Sequence, residues 1–229
     1  MDYKLAAILL LFVAVASADD IFLGEKHEPG FIVVRDDGDD LFYWLFRSRG
    51  DPEKDPLVFW FTGGPGCSSE LAVFFENGPF KINDDLTLKI NPQSWNEHSN
   101  IVYIDQPIGT GFGKLVDEKD LNTDETGIAD DFYTFITRWL EKYPEFKGRP
   151  FFITGESYAG HYIPAISAKI VREANKDINL IASAIGNGWV DAISQYPEYA
   201  LYAYENKITS EFMHAVQIAA FAGCTGLST

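Results

Sequence analysis

Leu57-Val58-Phe59-Trp60-Phe61 is a run of five apolar residues with no polar residue between them. A strand with one wet face alternates, whereas a short run without alternation marks a strand buried on both faces. Asn100 to Ile104 and Phe151 to Thr154 read as further apolar strands, and Leu180 to Ile185 as one more strand. Segments of helical period separate them. From Asp124 to Tyr143, residues Ile128, Phe132, Phe135, Ile136, Trp139, Leu140 and Tyr143 form one apolar stripe. Asp124 and Glu125 favour the start of that helix, and Pro144 ends it. Ile163, Ile166 and Ile170 mark another helix. Apolar strands alternating with long helices predict an α/β fold whose parallel sheet is covered on both faces. In such sheets chemistry sits at the C-terminal ends of the strands.

Three motifs fall at those ends: Thr62 to Ser69, Asp105 to Gly113, and Gly155 to Gly160. In the last, an apolar strand stops at Thr154 and a helix follows, which puts Ser157 at the tip of a sharp turn. A hydroxyl standing above a helix N-terminus is placed to act as a nucleophile, and small neighbours let the backbone turn. Ala159 takes the final glycine place of the Gly-x-Ser-x-Gly elbow, and Gly160 comes one residue later. The local pattern also admits a serine that caps the helix. A serine nucleophile needs donors for the oxyanion. Tyr158 N–H is one, and the Gly63-Gly64 loop is built to supply the other; a plain tight turn is the second reading of that loop.

Elsewhere, Phe31 to Val34 and Leu41 to Phe46 read as a hairpin around Asp36 to Asp40. That acidic turn lacks EF-hand spacing and its closing Glu. Glu70 to Phe75 reads as a short helix and Leu86 to Ile90 as a strand. Tyr196 to Phe221 is aromatic and helical, with Thr209-Ser210 capping the last helix.

Leu5 to Ala16 is unbroken and apolar, follows Lys4 and ends in Ala16-Ser17-Ala18. This is the layout of a secretory signal peptide over residues 1–18. The run is too short to span a bilayer comfortably, and no later stretch is long and apolar enough to do so. The net charge of −16 argues against nucleic acid or anionic membrane as partners and suits an acidic lumen. Cys67 and Cys224 give no metal-ligand spacing with the histidines, so neither metal nor cofactor is expected.

The general base is harder to find. The chain has four histidines, His27, His98, His161 and His214. His161 lies one turn past Ser157 on the same helix, which makes it structural. Ser157, Asp191 and His214 satisfy the α/β-hydrolase order, yet Asp191 follows a loop and His214 sits in an ordinary amphipathic helix.

Trp60 to Ser69, Asp105-Gln106-Pro107 with its glycine loop, and Gly155 to Gly160 are together similar to the serine carboxypeptidase family. The resemblance runs from about Asp20 to the C-terminus. It implies an α/β-hydrolase core over 19–190 and, over 191–229, the start of a helical cap insertion. It also implies release of C-terminal residues from peptides or proteins, an acidic optimum, and a lysosomal, vacuolar or extracellular location. By position Ser157 matches the nucleophile, and Gly64 with Tyr158 the oxyanion hole. Glu76 and Glu156 match paired carboxyls that bind the substrate's terminal carboxylate, and Gly63 a backbone donor to it. On local pattern alone, Glu156 caps the elbow helix and Glu76 is a solvated loop residue. Trp60 lines the same pocket or is core. Thr62 departs from the Asn that occurs at this position in the family.

The family's Asp and His follow the cap, and their matching positions lie past Thr229. The partners of its matching cysteines lie there too. The resemblance therefore implies an α/β-hydrolase fold incomplete at the C-terminus, with apolar sheet uncovered at one edge. Such a chain is expected to be inactive or weak alone, since loss of a triad His costs on the order of a million-fold. It is a piece of a longer sequence, a misassembled gene, or one of two chains, the second carrying the Asp and His. Two other readings are an acyltransferase on the same scaffold and a secreted, non-catalytic hydrolase-like protein that binds peptide C-termini.

Overall fold

The computed structural model describes residues 21–226. The expected signal peptide lies outside them. The strands are β1 (His27–Val33), β2 (Asp40–Phe46), β3 (Leu57–Phe61), β4 (Phe80–Ile82), β5 (Leu88–Ile90), β6 (Asn100–Ile104), β7 (Pro150–Glu156) and β8 (Asn179–Gly186). The helices are α1 (Glu70–Phe75), α2 (Glu125–Lys142), α3 (Ala159–Glu173), α4 (Ala192–Glu205) and α5 (Glu211–Gly226). Six strands make the main sheet in the order β1-β2-β6-β3-β7-β8, and β4 pairs with β5.

The apolar runs lie where two-sided burial demands them. On β3, Leu57, Phe59 and Phe61 join the core under α2 and α3, while Val58 and Trp60 join a second core with Trp44, Phe46 and Phe80. Phe59 meets Phe132, Phe135, Trp139 and Phe151 at centroid distances of 5.2–6.2 Å, all edge-on. Each of these buried side chains contributes roughly 2–3 kcal/mol by area alone. The α2 stripe is buried throughout, and its N-cap is Asp124, whose side chain accepts the Gly127 N–H.

The sheet is mixed, not wholly parallel. β6, β3, β7 and β8 run parallel, whereas β1 and β2 are antiparallel neighbours of each other and β2 of β6. A hairpin needs only a tight turn, so this edge needs no crossover helix. β1 starts at His27 instead of Phe31, because Glu28, Pro29 and Gly30 continue the pairing against Leu45, Trp44 and Tyr43. β5 starts at Leu88; Leu86 is in the preceding turn at φ +65°. β4 is a strand of three residues, Phe80-Lys81-Ile82, too short for its pattern to predict it. Nor does cover reach the whole sheet. β8 has no second neighbour among the described residues, and Ile181 is 54% exposed.

Candidate active site

β7 ends at Glu156 and α3 begins at Ala159, so Ser157 and Tyr158 make the whole connection. Ser157 has φ +57°, the left-handed region. That conformation costs a non-glycine residue roughly 1–2 kcal/mol. Three backbone bonds hold it. Ser157 N–H donates to Gly186 O at 3.1 Å, and Ser157 O accepts from Gly160 N–H at 3.0 Å and Trp189 N–H at 2.8 Å. The side chain is exposed. It opens on a cleft of about 320 Å³ lined also by Gly64, Pro65, Tyr158, Trp189, Tyr196 and Tyr199.

The loop from Thr62 to Ser69 lies against this elbow. A methyl on Gly63 would sit 2.8 Å from Ser157 Cβ, so only a glycine admits this approach. Gly64 has φ +114°. Cys67 N–H donates to Gly63 O at 3.2 Å, and Gly66 N–H to the Tyr162 hydroxyl at 3.3 Å. Among the described residues, neither Gly64 N–H nor Tyr158 N–H has an acceptor. Two donors therefore remain free next to the serine.

Glu76 follows α1, and Glu156 closes β7. Glu76 is pushed up to about 7, first by burial and then by the neighbouring Glu156 charge. Glu76 Oε2 is buried and receives no hydrogen bond from the described residues. A proton shared between the two carboxyls is the partner this geometry leaves room for. Nearby on the chain, Trp60 Nε1 donates to Thr62 Oγ1 at 3.1 Å, which leaves the threonine proton to donate elsewhere. Trp60 stands edge-on to Trp95 at 5.2 Å, and both line a second cavity of about 280 Å³.

The remaining candidates do not converge. Asp191 is the N-cap of α4, accepting from Ile193 N–H and the Ser194 hydroxyl. His214 stacks on Tyr204 at 4.7 Å, with Nδ1 3.1 Å from Ala200 O. Ser157, Asp191 and His214 therefore do not form a relay. His161 stacks on Tyr158 at 4.8 Å and faces Glu125 at 3.5 Å. His27 Nδ1 accepts the Trp44 indole N–H, and His98 is exposed. Among the described residues, no histidine is hydrogen-bonded to Ser157. Asp37, Asp39 and Asp120 bring ligand atoms within 4.8 Å of one another. Arg35 already lies among them, 3.7 Å from Asp39 Oδ2.

Sequence reasoning missed the aromatic wall of Trp189, Tyr196 and Tyr199, because nothing local tells a cleft-lining aromatic from a core one. It also missed a carboxyl pair, Glu70 and Asp105, that the fold joins across 35 positions. Asp105 at a strand end was visible; its partner was not.

A mostly parallel sheet, with a strained serine between strand and helix and a glycine loop beside it, defines an α/β-hydrolase fold. The serine carboxypeptidase profile matches residues 19–222, and the chain belongs to that family. It is 52% identical over 170 residues to serine carboxypeptidase 3 of Oryza sativa subsp. japonica, covering 72% of this chain and 34% of the relative. It is 48% identical over 166 residues to serine carboxypeptidase S10 family member 1 of Dictyostelium discoideum, covering 72% of this chain and 40% of the relative. Among solved structures, a prohormone-processing carboxypeptidase from Saccharomyces cerevisiae superposes with a TM-score of 0.79 at 30% identity. That match covers 89% of this chain and 47% of the yeast chain. The chain thus spans a third to a half of the length of these relatives.

Proposed function

We propose that this chain carries the nucleophile-bearing part of a serine-type carboxypeptidase, which releases C-terminal residues through an acyl-enzyme on Ser157. The observation that carries this reading is the exposed Ser157 on its left-handed turn, beside two N–H groups without acceptors. In this reading Ser157 Oγ attacks the scissile carbonyl, and Gly64 N–H and Tyr158 N–H receive the oxyanion. One such donor is worth roughly 3–4 kcal/mol. Glu76 and Glu156 hold the terminal carboxylate of the peptide, with Gly63, Thr62 and Trp60 around it. A third carboxylate joins such a pair only when a proton is present to bridge them, so binding is strongest at acidic pH. This fits a protein on the secretory route bound for an acidic or extracellular compartment. No described helix is long and apolar enough to cross a membrane.

The general base comes, in this reading, from polypeptide outside these 229 residues, continuing the chain or in a second one. Residues 19–190 are the hydrolase core, and α4 with α5 begins the cap. A fluorophosphonate probe tests the assignment. With the base supplied, labelling at Ser157 that disappears in Ser157→Ala is expected, together with release of C-terminal residues from a peptide. Absence of labelling at any pH sinks the reading. It would favour a binding protein for peptide C-termini, which the Glu76–Glu156 pair serves without a base.

A further inference from the structure

Asp105 follows β6 at the C-terminal edge of the sheet and is fully buried. Its Oδ1 accepts the Ser69 N–H at 2.9 Å, and its Oδ2 accepts the Phe112 N–H at 2.9 Å. Ser69 ends the loop that carries Gly63 and Gly64. Its hydroxyl accepts the Thr62 N–H at 3.2 Å and donates to Ile104 O at 2.6 Å. One carboxylate therefore pins the end of that loop and also the glycine loop 109–113.

Against it lies Glu70, the first residue of α1. Its Oε2 accepts the Ser68 hydroxyl, and its Oε1 is buried and receives no hydrogen bond from the described residues. Burial, and then the Asp105 charge, push Glu70 up to about 8. Asp105 is the charged group acting on Glu70; Lys81 of β4 acts on Glu76 instead. Two carboxyls this close and this dry cannot both ionise, so the pair keeps one proton. Asp105 has two N–H donors to satisfy and needs both oxygens as acceptors. The proton therefore belongs on Glu70, where Oε1–H has Asp105 to donate to.

We propose that Asp105 and Glu70 are positioning residues for the oxyanion loop: ionised Asp105 holds the Ser69 and Phe112 amides, and protonated Glu70 steadies Asp105. The assignment rests on Gly64 acting as an oxyanion donor. Loss of the Glu70 proton puts two negative charges together behind the loop and loosens it.

Amide hydrogen exchange on the full chain tests this, with protection factors for 62–69 and 109–113 followed from about pH 5 to about pH 9. The wild type is expected to lose protection there on the alkaline side. Glu70→Gln, a permanently neutral donor, is expected to stay flat. Asp105→Asn is expected to lower protection of Ser69 or Phe112 about ten-fold at acidic pH, one charged hydrogen bond's worth, with α2 unchanged. Unchanged protection in Asp105→Asn overturns the proposal, as does an alkaline loss retained in Glu70→Gln or a loss spread equally over α2. Fluorophosphonate labelling with the base supplied judges the carboxypeptidase reading separately: a wild type unlabelled under those conditions sinks that reading, while exchange still decides whether Asp105 pins the loop.

Discussion

Gly63 meets Tyr158 backbone to backbone: a methyl on the Gly63 α-carbon would stand 2.4 Å from the Tyr158 nitrogen. No rotamer relieves that contact, because both partners are main chain. Gly63→Ala is expected to push the loop off the elbow and to cost about 1–3 kcal/mol of stability, as overpacking does. Moving Gly64 N–H away is also expected to slow Ser157 labelling about 100-fold. Labelling and melting both unchanged would show that the loop is not confined there.

Ser157 pays for its exposure with φ +57°. Ser157→Gly removes the strain along with the hydroxyl. An increase of about 1 kcal/mol is expected, raising Tm by about 2–4 °C for a domain of this size, with labelling abolished. A fall in Tm would mean that the serine side chain stabilises the turn.

Glu76 is more easily protonated folded than unfolded. Its stabilising contribution is therefore full below its ordinary value of 4.5 and lost as pH rises through about 7. Urea midpoints are expected to fall across that window. Glu76→Gln is expected to flatten this part of the profile and to leave a separate loss near pH 8 from Glu70. A Glu76→Gln profile that follows the wild type would remove Glu76 as the titrating group.

Trp139 is fully buried between β3 and α2, and its indole N–H has no acceptor among the described residues. Trp139→Ala is expected to cost about 3–5 kcal/mol, through lost contacts and a cavity. Trp139→Phe is expected to cost far less, since it also deletes a buried polar group left unsatisfied. Equal denaturation midpoints for the two variants would contradict this.

The α/β class and most of its elements were legible because burial on both faces leaves a mark on every residue of a strand, as at Leu57 to Phe61. The elbow was legible because strand, small residues and helix are contiguous. The antiparallel edge was not, since hairpin and crossover both present apolar strands and only the partner reveals direction. β4 escaped for a different reason: Phe80-Lys81-Ile82 is too short to show a period. The Glu76–Glu156 pair came through the family resemblance, because its members sit 80 positions apart and neither looks unusual alone. Ser157, Asp191 and His214 stood in a plausible order, but order carries no distance. Asp191 is spent on the first turn of α4.

The bond from Trp189 N–H to Ser157 O, 2.8 Å long, joins the reactive turn to the segment from which α4 and α5 are hung. Stacking of Trp189 on Tyr196, and of Tyr196 on Phe221, extends the linkage along both helices. Trp189 is thus the residue through which the packing of both helices reaches the backbone carbonyl of the Ser157 turn.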